Sequence, residues 1–470
     1  MLQWTGISTS RIPAQNGIIP EPFWKLTRAV YGLNDAPALW FDEFCKRLRA
    51  KGWVQSFVDP CLWVYPTGPI PKLKDLDPED LAAIPNKAMM ILHVDDVLAS
   101  GEGVEAMLKD IAVEWKGIDP VDVFLGTEFI ESKTELKLTQ EKYIQGLNIN
   151  MPHLDEYRLK RLATAGPLPL DAHFLHHVPE NEGISSEKQD TEFEEEMSEK
   201  DKERPCTLSE HKEFRGNVGK LNWLSGNTRP DLQFCVALLS SWFQEPIYKV
   251  LVWSRRALQY ALITAHRGIT FSKKHKPCGL VGICDSSWAR KDNGYRSTLG
   301  YIVCVEYEGT DLLTHIAWKS SVIKKICESS SSAEFVAAHA VASKLVEIRS
   351  MLKHVGIVLD KLTLKTDSNN LLDWLQRKKR CKVTEWGVGI KVQALKQLIE
   401  TTNITLTFVA SLRNIADEFT KPKEVILLGS ILDTKFKPVS RRFELATEED
   451  QVGNCVFLSP GGTYTPAHHI

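Results

Sequence analysis

No stretch of this chain approaches the roughly 20 consecutive apolar residues that a membrane-spanning helix needs. Its start, Met1 to Pro20, is polar and broken by Pro and Gly, which is not the pattern of a secretory leader. The ten cysteines stand singly, with no Cys-x-x-Cys pair and no histidine at zinc-ligand spacing. A disulfide framework and a zinc site are both excluded on that pattern. Reduced thiols in an intracellular protein, cytoplasmic or nuclear and not secreted, are the expectation, with no membrane partner. An excess of one charge is also missing, since 58 Lys plus Arg face 60 Asp plus Glu. What the chain does have is length and apolar material. Its 470 residues, 43% hydrophobic and 25% charged, suffice for two or three domains with proper cores and exclude disorder as the dominant state.

The near-neutral sum hides an uneven distribution. Residues Glu180 to Arg204 hold 11 acids and 4 bases, a net of −7, which leaves +5 for the rest. That segment has no apolar periodicity and reads as a solvated linker. Pro66 to Pro85, rich in Pro, Lys and Asp, reads as a loop between strands. The stretch from about Ser430 to Ile470 has weak periodicity and is expected to be poorly ordered.

In the first half, Leu39, Phe41, Phe44, Cys45 and Leu48 recur at helical spacing. The run from Met89 to Gly101 is an apolar strand, an Asp95-Asp96 turn and a second apolar strand. Two readings stand for the acid pair. Asp favours turns because its side chain bonds the backbone; adjacent carboxylates in apolar surroundings are also what a divalent cation would neutralise. In the middle, Phe214–Leu224 and Val236–Ser240 read as two amphipathic helices separated by an Arg229-Pro230-Asp231 turn. The helix from about Ile247 to His266 carries Arg255 and Arg256, either as a solvated basic edge or as phosphate contacts.

From Gly279 the pattern becomes strand, strand, strand, helix, strand, helices, strand and helix, which makes a mixed α/β sheet. A short strand from Leu280 is expected to end at Asp285, and one from Leu362 at Asp367. The long helix, Ser331 to about Val355, has an apolar stripe of Ala338, Val341, Leu345, Ile348, Leu352 and Val355. One step back along it is Glu334. A carboxylate on that face is either a capping-box acid or a buried charge that needs a partner. Asp417 is expected near the start of a final helix, Asn414 to Thr420. Four acids converging there would repel strongly without a divalent cation. The basic run Arg377-Lys378-Lys379-Arg380 is either a solvated helix end or a handle on phosphates.

Several motifs come in a familiar order. They are Arg28–Pro37, Val58–Val64, His93-Val94-Asp95-Asp96, Phe124-Leu125-Gly126 and Leu138–Ile144, then Cys284–Trp288, Arg296–Tyr301, Ser329–Phe335, Thr366-Asp367-Ser368 and Ile415–Pro422. Together they resemble the reverse transcriptase and ribonuclease H region of copia-type LTR retrotransposon Pol polyproteins, from about Trp24 to Pro422. The resemblance implies an α/β (α+β) fold, with a partial reverse-transcriptase palm and a thumb/connection segment followed by a ribonuclease H-like mixed five-stranded sheet with helices. The expected division is a truncated palm over 1–150, an acidic linker over 151–205, a helical thumb/connection over 206–275, a ribonuclease H-like domain over 276–425 and a tail over 426–470.

By the same resemblance Asp285, Glu334, Asp367 and Asp417 are the catalytic and metal-binding set of the nuclease. Asp95 and Asp96 are the palm's metal-binding pair, and Phe124-Leu125-Gly126 lies near the primer-gripping hairpin. The implied cofactor is Mg²⁺, two ions in the nuclease site, with Mn²⁺ as a substitute. The implied partners are an RNA–DNA hybrid, a nucleic-acid duplex held in part by Arg255, Arg256, Arg377, Lys378, Lys379 and Arg380, and other Pol-derived subunits. Glu second among the four acids favours a nuclease over an integrase, which would carry Glu last. Three positions depart from the pattern. His93 stands where an aromatic residue is usual, and Phe408 where related nucleases often carry His. No Asp precedes Asp35, so the palm's third carboxylate is missing and polymerase activity is expected to be lost through truncation. The expected activity is cleavage of the RNA strand of RNA–DNA hybrids; the alternatives are a nucleic-acid-binding module and a catalytically inactive relic.

Overall fold

The computed structural model describes residues 34–56, 58–68, 86–94, 96–111, 121–150, 156–168, 203–290, 294–376, 386–422 and 426–432. Asp95, the basic run 377–380, the acidic segment 180–202 and the tail beyond 432 lie outside them. Among the described residues the chain divides into two compact units: those up to Phe124 with Ser350–Val358, and Leu125–Arg349 with those from Leu359 to 432. Among the described residues no helix is long and apolar enough to cross a membrane.

In the first unit, a helix over Ala36–Ala50 begins with Pro37 in its first turn, where a missing N–H costs nothing. It buries Phe44, Cys45 and Leu48. Strands β1 (Val54–Gln55), β2 (Leu62–Pro66), β3 (Asn86–His93) and β4 (Asp96–Gly101) form an antiparallel sheet in that order, and β5 is the two-residue strand Val123–Phe124. Ala88, Met90 and Leu92 of β3 alternate inward against Phe44, Leu48, Trp53 and Trp63, so one face of the sheet is dry. The strand–turn–strand pattern around the acid pair is therefore present, and Asp96 opens β4 opposite His93.

In the second unit, β6 (Thr127–Glu131), β7 (Glu135–Thr139) and β8 (Gly268–Ser272) pair antiparallel. Between them in sequence come helices Leu208–Asn227, Gln233–Ser240 and Tyr248–Ile263. The first starts on a capping box in which the Thr207 side chain accepts from the Glu210 N–H and the Glu210 carboxylate accepts from the Thr207 N–H. The Arg-Pro-Asp turn is a 3₁₀ turn, Pro230–Leu232, and it does more than change direction. Arg229 and Asp231 form a fully buried bidentate pair at 2.7 and 2.9 Å. Arg229 also donates to the Thr264 carbonyl (3.1 Å) and hydroxyl (2.7 Å), and the Tyr260 hydroxyl donates to Asp231 (2.7 Å). Every partner lies at the far end of the Tyr248–Ile263 helix, so this network pins the helices together.

A mixed five-stranded sheet follows, in the order β11-β10-β9-β12-β13. Its strands are β9 (Pro277–Arg290), β10 (Arg296–Tyr307), β11 (Leu313–Val322), β12 (Lys361–Thr366) and β13 (Ile404–Phe408). The first three are antiparallel, while β12 runs parallel to both β9 and β13. This is a mixed five-stranded sheet, as the resemblance implied. The Ser330–His354 helix lies against it through Ala338, Val341 and Leu345, all fully buried. A Cβ on Gly282 of β9 would sit 2.7 Å from Val341 Cγ2 and 2.9 Å from Leu345 Cδ1, so only glycine permits this approach. The helix Ile426–Leu432 also belongs to this core, with Leu428 packed among Val281, Ile283, Ile302 and Phe419. Its start is capped by Glu418, which accepts from the N–H groups of Leu427 and Leu428. The Trp318 indole donates to the Ser225 carbonyl at 2.7 Å and ties this sheet to the Leu208–Asn227 helix.

Candidate functional site

Asp285 does not end its strand. β9 continues to Arg290 because β10 pairs with it along its whole length, down to Arg296 opposite Arg290. The parallel partner is shorter, and the last β9–β12 pair is Ile283 with Lys365. Asp285 therefore sits just past the point where one neighbour stops, which leaves that side of the strand open. Asp367 is the first residue after β12, as expected. Ser368 explains the stop: its hydroxyl accepts from the Leu371 N–H and caps the Asn369–Gln376 helix.

Glu334 lies in the first turns of the long helix, but it is not a helix cap. The Ser329 hydroxyl accepts the Ser332 N–H and does the capping. Glu334 Oε1 instead accepts from the Ser286 hydroxyl at 2.8 Å, reaching across to β9. Its Oε2 is buried with no hydrogen-bond partner. The next residue, Phe335, packs edge-on to Trp374 at 5.8 Å between ring centroids, which couples this helix to the one after Asp367.

Asp417 lies in a five-residue 3₁₀ turn, Ile415–Phe419, rather than near the start of a longer helix. Asn414 sets that turn. Its side-chain oxygen accepts from the Ala416 N–H and its amide donates to the Cys284 carbonyl, beside Asp285. Gly300, opposite Asp285 on β10, makes room: a Cβ there would meet Phe419 Cβ and Thr420 Cγ2 at 2.7 Å and the Ala416 carbonyl at 2.9 Å. The turn is thus pressed against the sheet, and the Thr420 hydroxyl donates to Asp285 Oδ2.

These elements gather Asp285, Glu334 and Asp367, with one oxygen of each within 4.8 Å of the others. Asp417 borders the cluster but pairs with a cation, Lys421 Nζ standing 2.6 Å from its Oδ1 and 3.9 Å from Asp285 Oδ2. Burial, reinforced by Asp417 and Asp367 and opposed by Lys421 and the Thr420 hydroxyl, pushes the Asp285 carboxyl up to about 7. Burial, then the charge of Asp285, pushes Glu334 up to about 8 against the Ser286 hydrogen bonds. Such crowding of hard oxygen donors, one of them orphaned, fits a divalent cation, which would offset the repulsion and draw the protons off.

The remaining sequence candidates fare differently. Arg256 is 4% exposed, inside the helical core, and so does not face a phosphate backbone. The helix that carries it packs on more than one side, which its basic pair did not reveal. Arg255 is half-exposed and held by both oxygens of Glu213, at 2.7 and 2.8 Å. Asp96 is exposed, and Asp95 and Arg377, Lys378, Lys379 and Arg380 lie outside the described residues. Phe408, 52% exposed, is opposite Thr366 and so next to Asp367 in space. Sequence reasoning missed Ser286, Asn414, Thr420 and Lys421. Thr420 and Lys421 fall inside the Ile415–Pro422 motif and Ser286 inside Cys284–Trp288, while Asn414 stands just before the former.

No family model matches the chain. Among curated proteins it is 26% identical over 408 residues to the retrovirus-related Pol polyprotein from transposon RE1 of Arabidopsis thaliana, covering 86% of this chain and 24% of that protein. It is 22% identical to the corresponding polyprotein from transposon TNT 1-94 of Nicotiana tabacum, covering 84% and 27%. The chain thus spans about a quarter of the length of these relatives. Among solved structures, foamy viral protease-reverse transcriptase dRH in complex with double-stranded DNA aligns at a TM-score of 0.40 and 14% identity, over 82% of this chain and 50% of that one. LC11-RNase H1 in complex with an RNA/DNA hybrid aligns at 0.24 and 17%, over 30% and 93%. The chain is thus a homologue of the retrovirus-related Pol polyproteins of copia-type transposons.

Proposed function

We propose that this chain hydrolyses the RNA strand of RNA–DNA hybrids at the cluster of Asp285, Glu334 and Asp367, bordered by Asp417. One observation carries the reading. Three carboxylates from a strand, a helix and a strand end bring an oxygen each within 4.8 Å, and buried Glu334 Oε2 has no partner from the protein. Left to themselves, such groups hold protons; as a set they are ligands for Mg²⁺ or Mn²⁺. The cation, when bound, would lower the pKa of a bound water and stabilise negative charge on the phosphate.

The protein's own contribution is arrangement. Ser286 fixes the rotamer of Glu334, and Thr420 fixes Asp285, so the ligands are positioned before any cation arrives. In the reaction the oxygen of water bonds to phosphorus and the bond to the 3′ oxygen breaks. One water proton goes to solvent or a site carboxylate, a proton from solvent reaches the departing 3′ oxygen, and the products are a 3′ hydroxyl and a 5′ phosphate. The homologous Pol polyproteins and the order of the four acids support this substrate class.

The test is cleavage of an end-labelled RNA–DNA hybrid by the full chain with Mg²⁺ or Mn²⁺. Cleavage lost in Asp367→Asn, with an unchanged circular dichroism melt, is the expected result. Hybrid bound with salt-dependent affinity but never cut would leave a binding role in place of catalysis. Cleavage at an undiminished rate in Asp367→Asn would remove the cluster from the mechanism.

A further inference from the structure

Resting on the metal-site reading above and deepening it, we propose that Lys421 is a built-in cation of the acid cluster. Its ammonium takes the Asp417 side of the site, so the protein binds one divalent cation at Asp285, Glu334 and Asp367, and a second position is open only when the ammonium is absent.

The geometry is specific. Lys421 Nζ lies 2.6 Å from Asp417 Oδ1 and 3.9 Å from Asp285 Oδ2, so it faces the two acids that border each other. Asp417 and Asp285 expose only 11% and 5% of their side chains. An exposed pair of residues four apart would be an ordinary surface contact worth very little. This one reaches a second acid and closes over groups that water hardly reaches. The backbone aims it. Asn414 clips the 3₁₀ turn to the Cys284 carbonyl, Thr420 binds Asp285 through its hydroxyl, and Lys421 is the next residue. The lysine cannot leave the site's rim without unseating that turn, although its long stem can swing.

Charge counting points the same way. Once ionised by a bound cation, the four carboxylates bring four negative charges, and one ammonium neutralises part of them without a second divalent ion. A divalent ion placed between Asp417 and Asp285 would need oxygens the ammonium already uses, and the two cations would repel each other at a few ångströms. This accounts for the division of the site: three acids converge on one another, and the fourth turns to the lysine. Lys421 is a positioning residue on this account, acting through the carboxylates it holds.

The test counts bound Mn²⁺ by electron paramagnetic resonance, adding the metal alone to the full chain after stripping with EDTA. Equivalents that disappear in Asp285→Asn are those assigned to the site. The wild type is expected to bind one. Lys421→Met is expected to bind the first ion about tenfold more tightly, through loss of a nearby positive charge, and to gain a second, weaker equivalent. Lys421→Gln, which keeps polarity, should behave like Lys421→Met, and thermal melts in EDTA check that each variant is folded. Two site equivalents in the wild type, or unchanged number and affinity in both folded variants, overturns the role of Lys421 and leaves the metal site standing. No site equivalent in any of the proteins overturns the metal site and this inference together.

Discussion

Glu334→Gln separates a charge that serves a cation from a charge that serves the helix. The carboxyl, ordinarily near 4.5, is pushed up to about 8 by burial and by Asp285. The folded protein therefore holds its proton more tightly than the unfolded chain does. The stability this contributes is complete below about pH 4.5 and is lost as pH rises through about 8. Each unit of displacement is worth about 1.4 kcal/mol, so the whole window amounts to roughly 5 kcal/mol in the metal-free protein. Gln has the same shape and no charge to lose, so its stability should not fall over that window. In EDTA at about pH 5 the variant and the wild type should melt within a degree or two of each other. At about pH 8.5 the variant should be the more stable, and even 2 kcal/mol would raise its melting temperature by roughly 2–4 °C. Adding Mg²⁺ at the higher pH should favour the wild type, since ligand binding stabilises only the protein that binds it. Melting followed by circular dichroism reads all of this. An offset between the two proteins that is the same at both pH values, or a variant that melts lower in EDTA at the higher pH, would refute the assignment of a buried, repelled carboxylate.

Three further outcomes follow from particular contacts. Gly300→Ala drives a methyl group into Phe419 and Thr420, which should cost about 1–3 kcal/mol in the melt and weaken Mn²⁺ binding as the turn backs away. Asp231→Asn leaves Arg229 charged and unbalanced in the core, so a loss of about 3–5 kcal/mol in urea unfolding is expected, with metal binding unaffected once the protein is folded. Thr420→Val removes a donor to Asp285; because that hydrogen bond favours the ionised acid, the pH at which Mn²⁺ binding is half lost should rise.

Much of this architecture could be read directly from the residues. The Asn369–Gln376 helix falls where its periodicity puts it, and the Ala338-Val341-Leu345 stripe faces the sheet. Glu334 on that stripe was legible for the same reason, since helical spacing alone decides which face a residue shares. Asp285 as a strand terminus was not legible correctly. Strand length depends on how far each neighbour pairs, and the β10 partner outlasts β12. The final turn differs from the helix expected over Asn414 to Thr420, because the run Ile415–Phe419 is too short for apolar spacing to separate a 3₁₀ turn from an α-helix. Lys421 was passed over because a lone lysine beside a proline looks like surface, and only the clip from Asn414 to β9 brings it to the acids. Arg256 failed in the opposite sense: a basic pair on a helix looks solvated until partners arrive on more than one side.

The clip from Asn414 to Cys284 joins residues 130 apart in the chain, and the Thr420 contact with Asp285 joins residues 135 apart. Closures of that span are among the slowest steps of folding, because a long loop must be ordered before any contact rewards it. On a ribosome, which adds about 5–20 residues per second, strands β9 to β12 and the long helix emerge before residues 414–421 do. A nascent chain can thus display Asp285, Glu334 and Asp367 while the segment that holds them in place is still being made. The cation site proposed on those three acids would therefore be completed late, timed by the synthesis of a single short turn.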